Sequence, residues 1–327
     1  MSRPVLLVNF GGPRVPEELG AFMEALLTDQ DVIQTSWPPF LHRLLFKRVA
    51  RRRAELMAPE YHHMGGSSPI FRDTEELAWK LQRLLQRPVL TFHRYLPATH
   101  QESLRLLECS AHAAEQVDVL PLFPQFSYST TGSCARWLER HLAPALRSKL
   151  TWVQGYPDHT GFIEAYHQQI QRVLSTIPHT PEKTVLLFSA HGLPQRYVDE
   201  GDPYQKQCQR SVAAVAALYP GYTYELAFQS RYGPEEWLKP YTVDLAAELR
   251  TRYPQHDLVL VVPIAFTSDH LETLVEIEQQ VLPLLQERGF RAQRVPSLQN
   301  CPEWPSMLVR ILEESERSST RSLIRDF

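Results

Sequence analysis

The feature that most constrains this chain is a series of short apolar runs, each followed by a longer amphipathic stretch. The runs are Val5 to Asn9, Val89 to Phe92, Val117 to Phe123, Val185 to Ser189, Tyr224 to Phe228 and Leu258 to Phe266. They are rich in Val, Leu and Phe and show little polar alternation, as strands buried on both faces of a parallel sheet do. Helix-like stretches lie between them, among them Glu75 to Gln86, Ile163 to Leu174, Gln207 to Leu218 and Leu271 to Gln286. This alternation predicts an α/β fold with parallel sheets flanked by helices.

The order of motifs repeats. Leu7-Val8-Asn9-Phe10-Gly11-Gly12-Pro13, then Phe92-His93-Arg94-Tyr95, then Val119-Leu120-Pro121-Leu122-Phe123 make up the first set. Leu187-Phe188-Ser189-Ala190-His191-Gly192-Leu193-Pro194, then Phe228-Gln229-Ser230-Arg231-Tyr232, then Val261-Val262-Pro263-Ile264-Ala265-Phe266 make up the second. We expect two similar Rossmann-like domains around a shared cleft, residues 1–147 and 148–327, with a switch near Ala143 to Thr151 and the last helix packed back on the first domain. Their 327 residues suit two domains.

A net charge of -3 gives no electrostatic case for nucleic acid. No apolar stretch approaches the ~18–20 residues of a spanning helix. Met1-Ser2-Arg3-Pro4 runs straight into a strand-like stretch, so no leader is expected. Cys109, Cys134, Cys208 and Cys301 are scattered, which fits a reduced cytoplasmic protein. Phe10-Gly11-Gly12-Pro13 lacks the spacing of a phosphate cradle, so no nucleotide is expected.

Ionisable residues gather where apolar runs end. Such ends are where ligands bind in an open parallel sheet. His191 follows one run; Asp269, His270, Glu272 and Glu276 follow another. A histidine with an ordinary pKa near ~6.5 is a competent proton acceptor. It could equally be a hydrogen-bonded residue at a strand end. Gly192 would let a large flat ligand approach. Asp269, Glu272 and Glu276 fall on one face of a helix. Such a carboxylate stripe is costly unless it binds cations or shares protons. Alternatively, Ser268 or Asp269 caps the helix and Glu272 closes a capping box. Gln280, next on that face, breaks the stripe, and Glu278 could substitute. His62-His63 reads as surface.

Trp37, Pro38, Pro39, Phe40, Leu41, Leu44, Leu45 and Phe46 form an apolar group, followed by Lys47, Arg48, Arg51, Arg52 and Arg53. Two readings stand: a core helix with a solvated basic end, or an apolar lip with basic anchors that meets a membrane or a greasy ligand.

Five ordered segments resemble the ferrochelatases, which insert ferrous iron into a porphyrin: the Phe10-Gly11-Gly12-Pro13 loop, Pro124 to Ser133, Ser189-Ala190-His191-Gly192-Leu193-Pro194, Gln229 to Pro234 with Trp237-Leu238, and Phe266 to Leu274. The resemblance runs almost end to end. It implies two Rossmann-like halves around a porphyrin cleft, catalysis by His191 and Glu272, and iron guided by His191, Glu272, Asp269 and Glu276. It also implies a porphyrin held by Phe10, Arg94, Tyr95, Ser127, Thr130, Trp237 and His270. Phe10, where coproporphyrin enzymes tend to have tyrosine, points to protoporphyrin. Ser67 stands where the family usually has glycine. Ferrous iron is a substrate, and no tightly bound cofactor is expected. The tail Thr320 to Phe327 lacks the cysteines of an iron–sulfur cluster. Residues 35–55 resemble the family's lip, implying peripheral contact with the inner face of a membrane. The alternatives are a chelatase for another metal or ring, such as coproporphyrin III or sirohydrochlorin, or a non-catalytic porphyrin or haem carrier. A nucleotide-dependent transferase of the same fold class is a third.

Overall fold

The computed structural model describes residues 3–325, so Asp326 and Phe327 of the tail lie outside the described residues. The chain divides into two compact units, Met1–Tyr156 with Leu308–Phe327, and Pro157–Met307.

The first unit is built on a five-stranded sheet in the order β2-β1-β3-β4-β9. Its strands are β1 (Val5–Asn9), β2 (Val89–His93), β3 (Val117–Pro121), β4 (Leu150–Val153) and β9 (Arg317–Ser319). β1, β2, β3 and β4 are parallel, and β9 runs antiparallel to β4. Its helices are α1 (Leu19–Leu27), α2 (Pro39–His63), α3 (Ile70–Leu85), α4 (Pro97–Ala111), α5 (Ser133–His141) and α6 (Pro144–Arg147). Every residue of β1 and β3 is buried. They carry Val and Leu on both faces because both faces are covered. Leu6, Val8, Phe92, Val119, Leu138 and Trp152 join in one apolar core. Each such side chain taken from water contributes about 1.5–3 kcal/mol.

The second unit has the order β6-β5-β7-β8, all parallel. Its strands are β5 (Thr184–His191), β6 (Thr223–Gln229), β7 (Leu258–Val262) and β8 (Arg291–Arg294). Its helices are α7 (Thr160–Leu174), α8 (Gln195–Asp199), α9 (Tyr204–Ala216), α10 (Thr242–Arg252) and α11 (Leu282–Glu287). α12 (Trp304–Glu314) carries the chain from this unit back into the first.

The expected boundary after residue 147 moves to Tyr156. The cause is β4, whose Val117↔Leu150 and Val119↔Trp152 pairings make it part of the first sheet. What completes that sheet is a returning strand, β9. Buried Asp118 fastens it, pairing with Arg317 at 3.2 Å as well as with Arg3 at 2.6 Å and Arg87 at 3.0 Å.

The α2 segment is not a core helix. Trp37 is 48% exposed, Phe40 70% and Leu44 58%, with Arg48, Arg51 and Arg52 exposed on the next turns. No helix among the described residues is long and apolar enough to cross a membrane. His62 and His63 are exposed.

Candidate active site

β5 ends at His191, which the sheet brings beside Gln229 at the end of β6. The Gly192 N–H donates to the Gln229 carbonyl at 2.7 Å. A methyl group at Gly192 would stand 2.8 Å from that oxygen and 3.1 Å from Trp237 Cε3. The expected reason for Gly192 is therefore corrected: glycine is needed here because protein backbone and the Trp237 ring fill the space. Trp237 is partly buried, and its Nε1 donates to the Tyr232 carbonyl at 2.8 Å.

The chain beyond β7 crosses Pro263 to His270 and enters a wide π-type helical segment, Glu272–Val281. Such i→i+5 turns are rare and often functional. The fully buried Tyr166 of α7 lies 2.5 Å from the Pro263 carbonyl and 3.0 Å from the Phe266 carbonyl, which pins the entry loop. Phe266 then sets its ring edge-on to His270, with centroids 4.4 Å apart, and to His191 at 6.4 Å.

These elements bring three expected residues together. His191 Nδ1 lies 3.9 Å from Glu272 Oε1, and His270 Nδ1 lies 2.6 Å from Glu272 Oε2. One carboxylate thus faces two imidazoles. Burial pushes His191 below its ordinary value, against the pull of Glu272, so the imidazole is neutral near pH 7. Burial raises the Glu272 carboxyl, but His270 and then His191 outweigh it and hold the group well below the usual carboxylate range. Glu276 behaves in the opposite way. Burial and the neighbouring charge of Glu272 push it up to about 7, although Ser230 and Gln229 hydrogen-bond to it. The surroundings thus favour a neutral imidazole at His191 and an anion at Glu272, and bring the Glu276 carboxyl toward neutral pH. Groups with pKa values driven apart in this way can divide acid and base duties.

Asp269 is placed differently from expectation. It accepts from Thr273 Oγ1 at 3.0 Å, Arg294 Nη1 at 2.7 Å and Asn300 Nδ2 at 3.2 Å. That engagement removes it from the expected metal set. The capping box is also absent, because Glu272 turns to His270 instead. Gln280 and Glu278 are exposed, and Glu278 pairs with Arg294 at 2.6 Å. Among the described residues, no group of three or more His, Cys, Asp and Glu side chains is arranged to hold a metal ion.

The expected porphyrin residues of the first unit divide into two groups. Phe10 follows β1, is partly exposed, and packs edge-on against Tyr95 with centroids 4.6 Å apart. Thr130 is also partly exposed, in a short π-type segment, Tyr128–Gly132. Arg94, Tyr95 and Ser127 are turned inward. Asp29 Oδ2 accepts from Arg94 at 2.6 Å, from Tyr95 at 2.9 Å and from Ser133 at 2.5 Å. Burial pushes the Tyr95 hydroxyl well above its usual value, so it stays a donor. Tyr95 and Ser127 are each 1% exposed, and the Ser127 hydroxyl accepts from the Ser129 N–H at 3.1 Å. Their polar groups serve the fold, because a buried carboxylate or guanidinium needs partners. This corrects the expectation that Arg94 and Tyr95 offer theirs to a ligand.

The ferrochelatase family model matches residues 2–316. The ferrochelatase of Chlamydia felis (strain Fe/C-56) is 42% identical over 320 residues, covering 98% of each chain. That of Chlamydia pneumoniae is 41% identical over 326 residues, covering 99% of this chain and 97% of its own. This chain belongs to the ferrochelatase family. It is therefore an enzyme, a metal chelatase of the lyase class, whose substrates are a porphyrin and ferrous iron. Among solved structures, SirB from Bacillus subtilis with Fe3+ is 14% identical, with a TM-score of 0.52 over 96% of this chain and 95% of its own. DR2241 from Deinococcus radiodurans, a multi-domain protein with structural similarity to chelatases, is 19% identical, with a TM-score of 0.50 over 76% of this chain and 52% of its own. These two share the chelatase-like α/β fold of ferrochelatases.

Two ferrochelatase residues stand at the site without a role assigned from the sequence, Gln229 and Ser230. Their segment was visible only as a motif, because nothing in its composition announces chemistry. Arg294, which takes Asp269 out of play, lies in a polar edge strand and left no signal.

Proposed function

We propose that this ferrochelatase inserts Fe2+ into protoporphyrin IX, with His191 taking pyrrole protons and Glu272 with Glu276 guiding iron or carrying protons away. One Fe2+ enters and two N–H protons leave, so the ring's core ends neutral. The lone pairs lie in the ring plane, so a flat macrocycle shields them. A pocket that favours a bent ring draws on binding energy made elsewhere on the substrate. In the second unit, Trp237 would lie against the ring and His270 would line its site.

The observation that carries this reading is His191 Nδ1 facing Glu272 Oε1 at 3.9 Å, with burial lowering the imidazole's pKa and the histidines lowering the carboxyl's. A neutral imidazole can accept a proton, and a carboxylate already paired with His270 can stabilise the cation that results. Phe10 lacks an oxygen that could ligate iron, which supports protoporphyrin over coproporphyrin. The exposed Trp37, Phe40, Leu41 and Leu44, followed by arginines, support peripheral contact of residues 35–55 with the inner face of an anionic membrane.

The test is anaerobic incubation of the protein with Fe2+ and either porphyrin, following the Soret band. Faster metallation of protoporphyrin is expected. Preference for coproporphyrin would overturn the ring assignment, and absence of metallation with either ring would overturn the reaction. Flotation with anionic vesicles tests the membrane contact, and a Phe40→Glu/Leu44→Glu variant that floats equally well would refute it.

A further inference from the structure

We infer that Gln229 is a positioning residue that sets the spacing between His191 and the wide helical turn bearing Glu272 and Glu276. This rests on the reading of His191 and Glu272 just given. Gln229 is 6% exposed and reaches both sides of the site. Its backbone carbonyl takes the Gly192 N–H at 2.7 Å and so fixes the residue after the base. Its side-chain Nε2 donates to the Glu272 carbonyl at 2.9 Å and to Glu276 Oε2 at 3.0 Å.

The amide is oriented from behind. The Ser189 hydroxyl donates to Gln229 Oε1 at 2.7 Å, and Ser189 Oγ lies 2.9 Å from Thr242 Oγ1. With Oε1 held there, both N–H donors must point at the helical turn. No other side chain of this length offers one acceptor and two donors. Glutamate would set a second carboxylate against Glu276, and leucine would leave the Glu272 carbonyl and Glu276 short of a donor. Ser230, next in the chain, donates to the same Glu276 oxygen at 2.6 Å from a left-handed backbone of φ 67°. A serine rarely adopts that conformation unless its surroundings hold it there. The end of β6 thus grips the helix through two consecutive residues, and neither is the base or the metal guide.

The experiment compares wild type, Gln229→Leu and Ser189→Ala. Porphyrin affinity is read by fluorescence quenching, kcat and KM by anaerobic metallation, and folding by thermal melts. Gln229→Leu is expected to keep its porphyrin affinity and porphyrin KM while kcat falls about tenfold to a hundredfold, the scale of an ångström's misplacement of reacting groups. Ser189→Ala should lower kcat in the same sense but less, with affinity again unchanged. A folded Gln229→Leu variant with wild-type kcat would overturn the inference. So would a kcat loss matched by an equal loss of porphyrin affinity, which marks general collapse. If Gln229→Leu does not fold, Ser189→Ala decides: reduced kcat at constant affinity supports the inference, and unchanged kcat sinks it. Failure of the wild type to metallate would instead indict the ferrochelatase reading.

Discussion

The two units run their strands in the same order, β2-β1-β3-β4 and β6-β5-β7-β8. In the first, the Leu122 N–H donates to the Val8 carbonyl; in the second, the Ile264 N–H donates to the Ser189 carbonyl. Two residues beyond each acceptor stand Phe10 and His191. Past the third strand of each lies a π-type segment, Tyr128–Gly132 in one and Glu272–Val281 in the other. The first unit puts an aromatic ring at the strand end and buries its charges in an Asp29–Arg94–Tyr95–Ser133 cluster. The second puts an imidazole there and leaves Glu272 and Glu276 half-buried on the turn beside it. A strand end is a place where chemistry can be mounted, and the side chains decide whether it is.

The sharpest way to break this contrast is to alter the equivalent residues. His191→Ala should cut metallation by about 10²–10⁴-fold, the usual worth of a positioned base, while still binding porphyrin. Phe10→Ala should weaken porphyrin binding with a much smaller loss of kcat. Equal rate losses from the two, in steady-state assays, would erase the distinction.

The second test is stability. Asp29→Ala leaves Arg94, whose side chain is 11% exposed, buried without its carboxylate. Breaking such a pair costs about 3–5 kcal/mol, readable in urea denaturation. Asp269→Ala should cost less, since Arg294 keeps Glu278 at 2.6 Å. A larger loss from Asp269→Ala would show that the Asp269–Arg294 pair, and not Asp29–Arg94, is the costlier one to break.

The third is pH. His191 must be unprotonated to accept a proton, so kcat/KM falls as pH drops through its pKa in the free enzyme. Burial lowers that pKa from the ordinary imidazole value of ~6.5, so the acid limb of kcat/KM should have its midpoint below that value. A midpoint above 7 that survives in His191→Asn would assign the limb to another group.

The smallest effect concerns the glycine-rich turn of the first unit. Gly65 and Gly66 have φ of 84° and 83°, whereas Ser67 is absent from the positive-φ residues. Serine is therefore at home where the family usually has glycine. Ser67→Gly should lower stability by about 0.4–1 kcal/mol through unfolded-chain entropy, with unchanged kinetics. A gain in stability would show that the serine is strained.

Much of this fold could be read from the chain, for a physical reason. The inner strands β1, β3, β5 and β7 are covered on both faces and are mostly apolar for that reason; the carboxylate they carry, Asp118, is balanced by three arginines. β8 could not be read: it is an edge strand of sequence Arg291-Ala292-Gln293-Arg294, exposed at alternate residues. β4 and β9 are too short to show a period. At the site, His191 and Glu272 stand out in the sequence because ionisable residues at apolar strand ends are unusual. The partners of Asp269 and Arg94 do not, because Arg294 and Asp29 lie far away in sequence and only the fold joins them. The carboxylate stripe assumed ordinary α-helical spacing, whereas a π-type segment changes which residues share a face.

The clasp of Asp118 on Arg317 has a consequence for biosynthesis. The edge strand of the first unit's sheet is translated only after the whole of the second unit. A ribosome has delivered all of residues 157–307 before Arg317 leaves the exit tunnel. The half made second can therefore close its sheet while the half made first still waits for its own final strand, with β4 open to any passing strand until then. A released chain truncated before Leu308 should be cut by protease within the earlier half and resist within the later one.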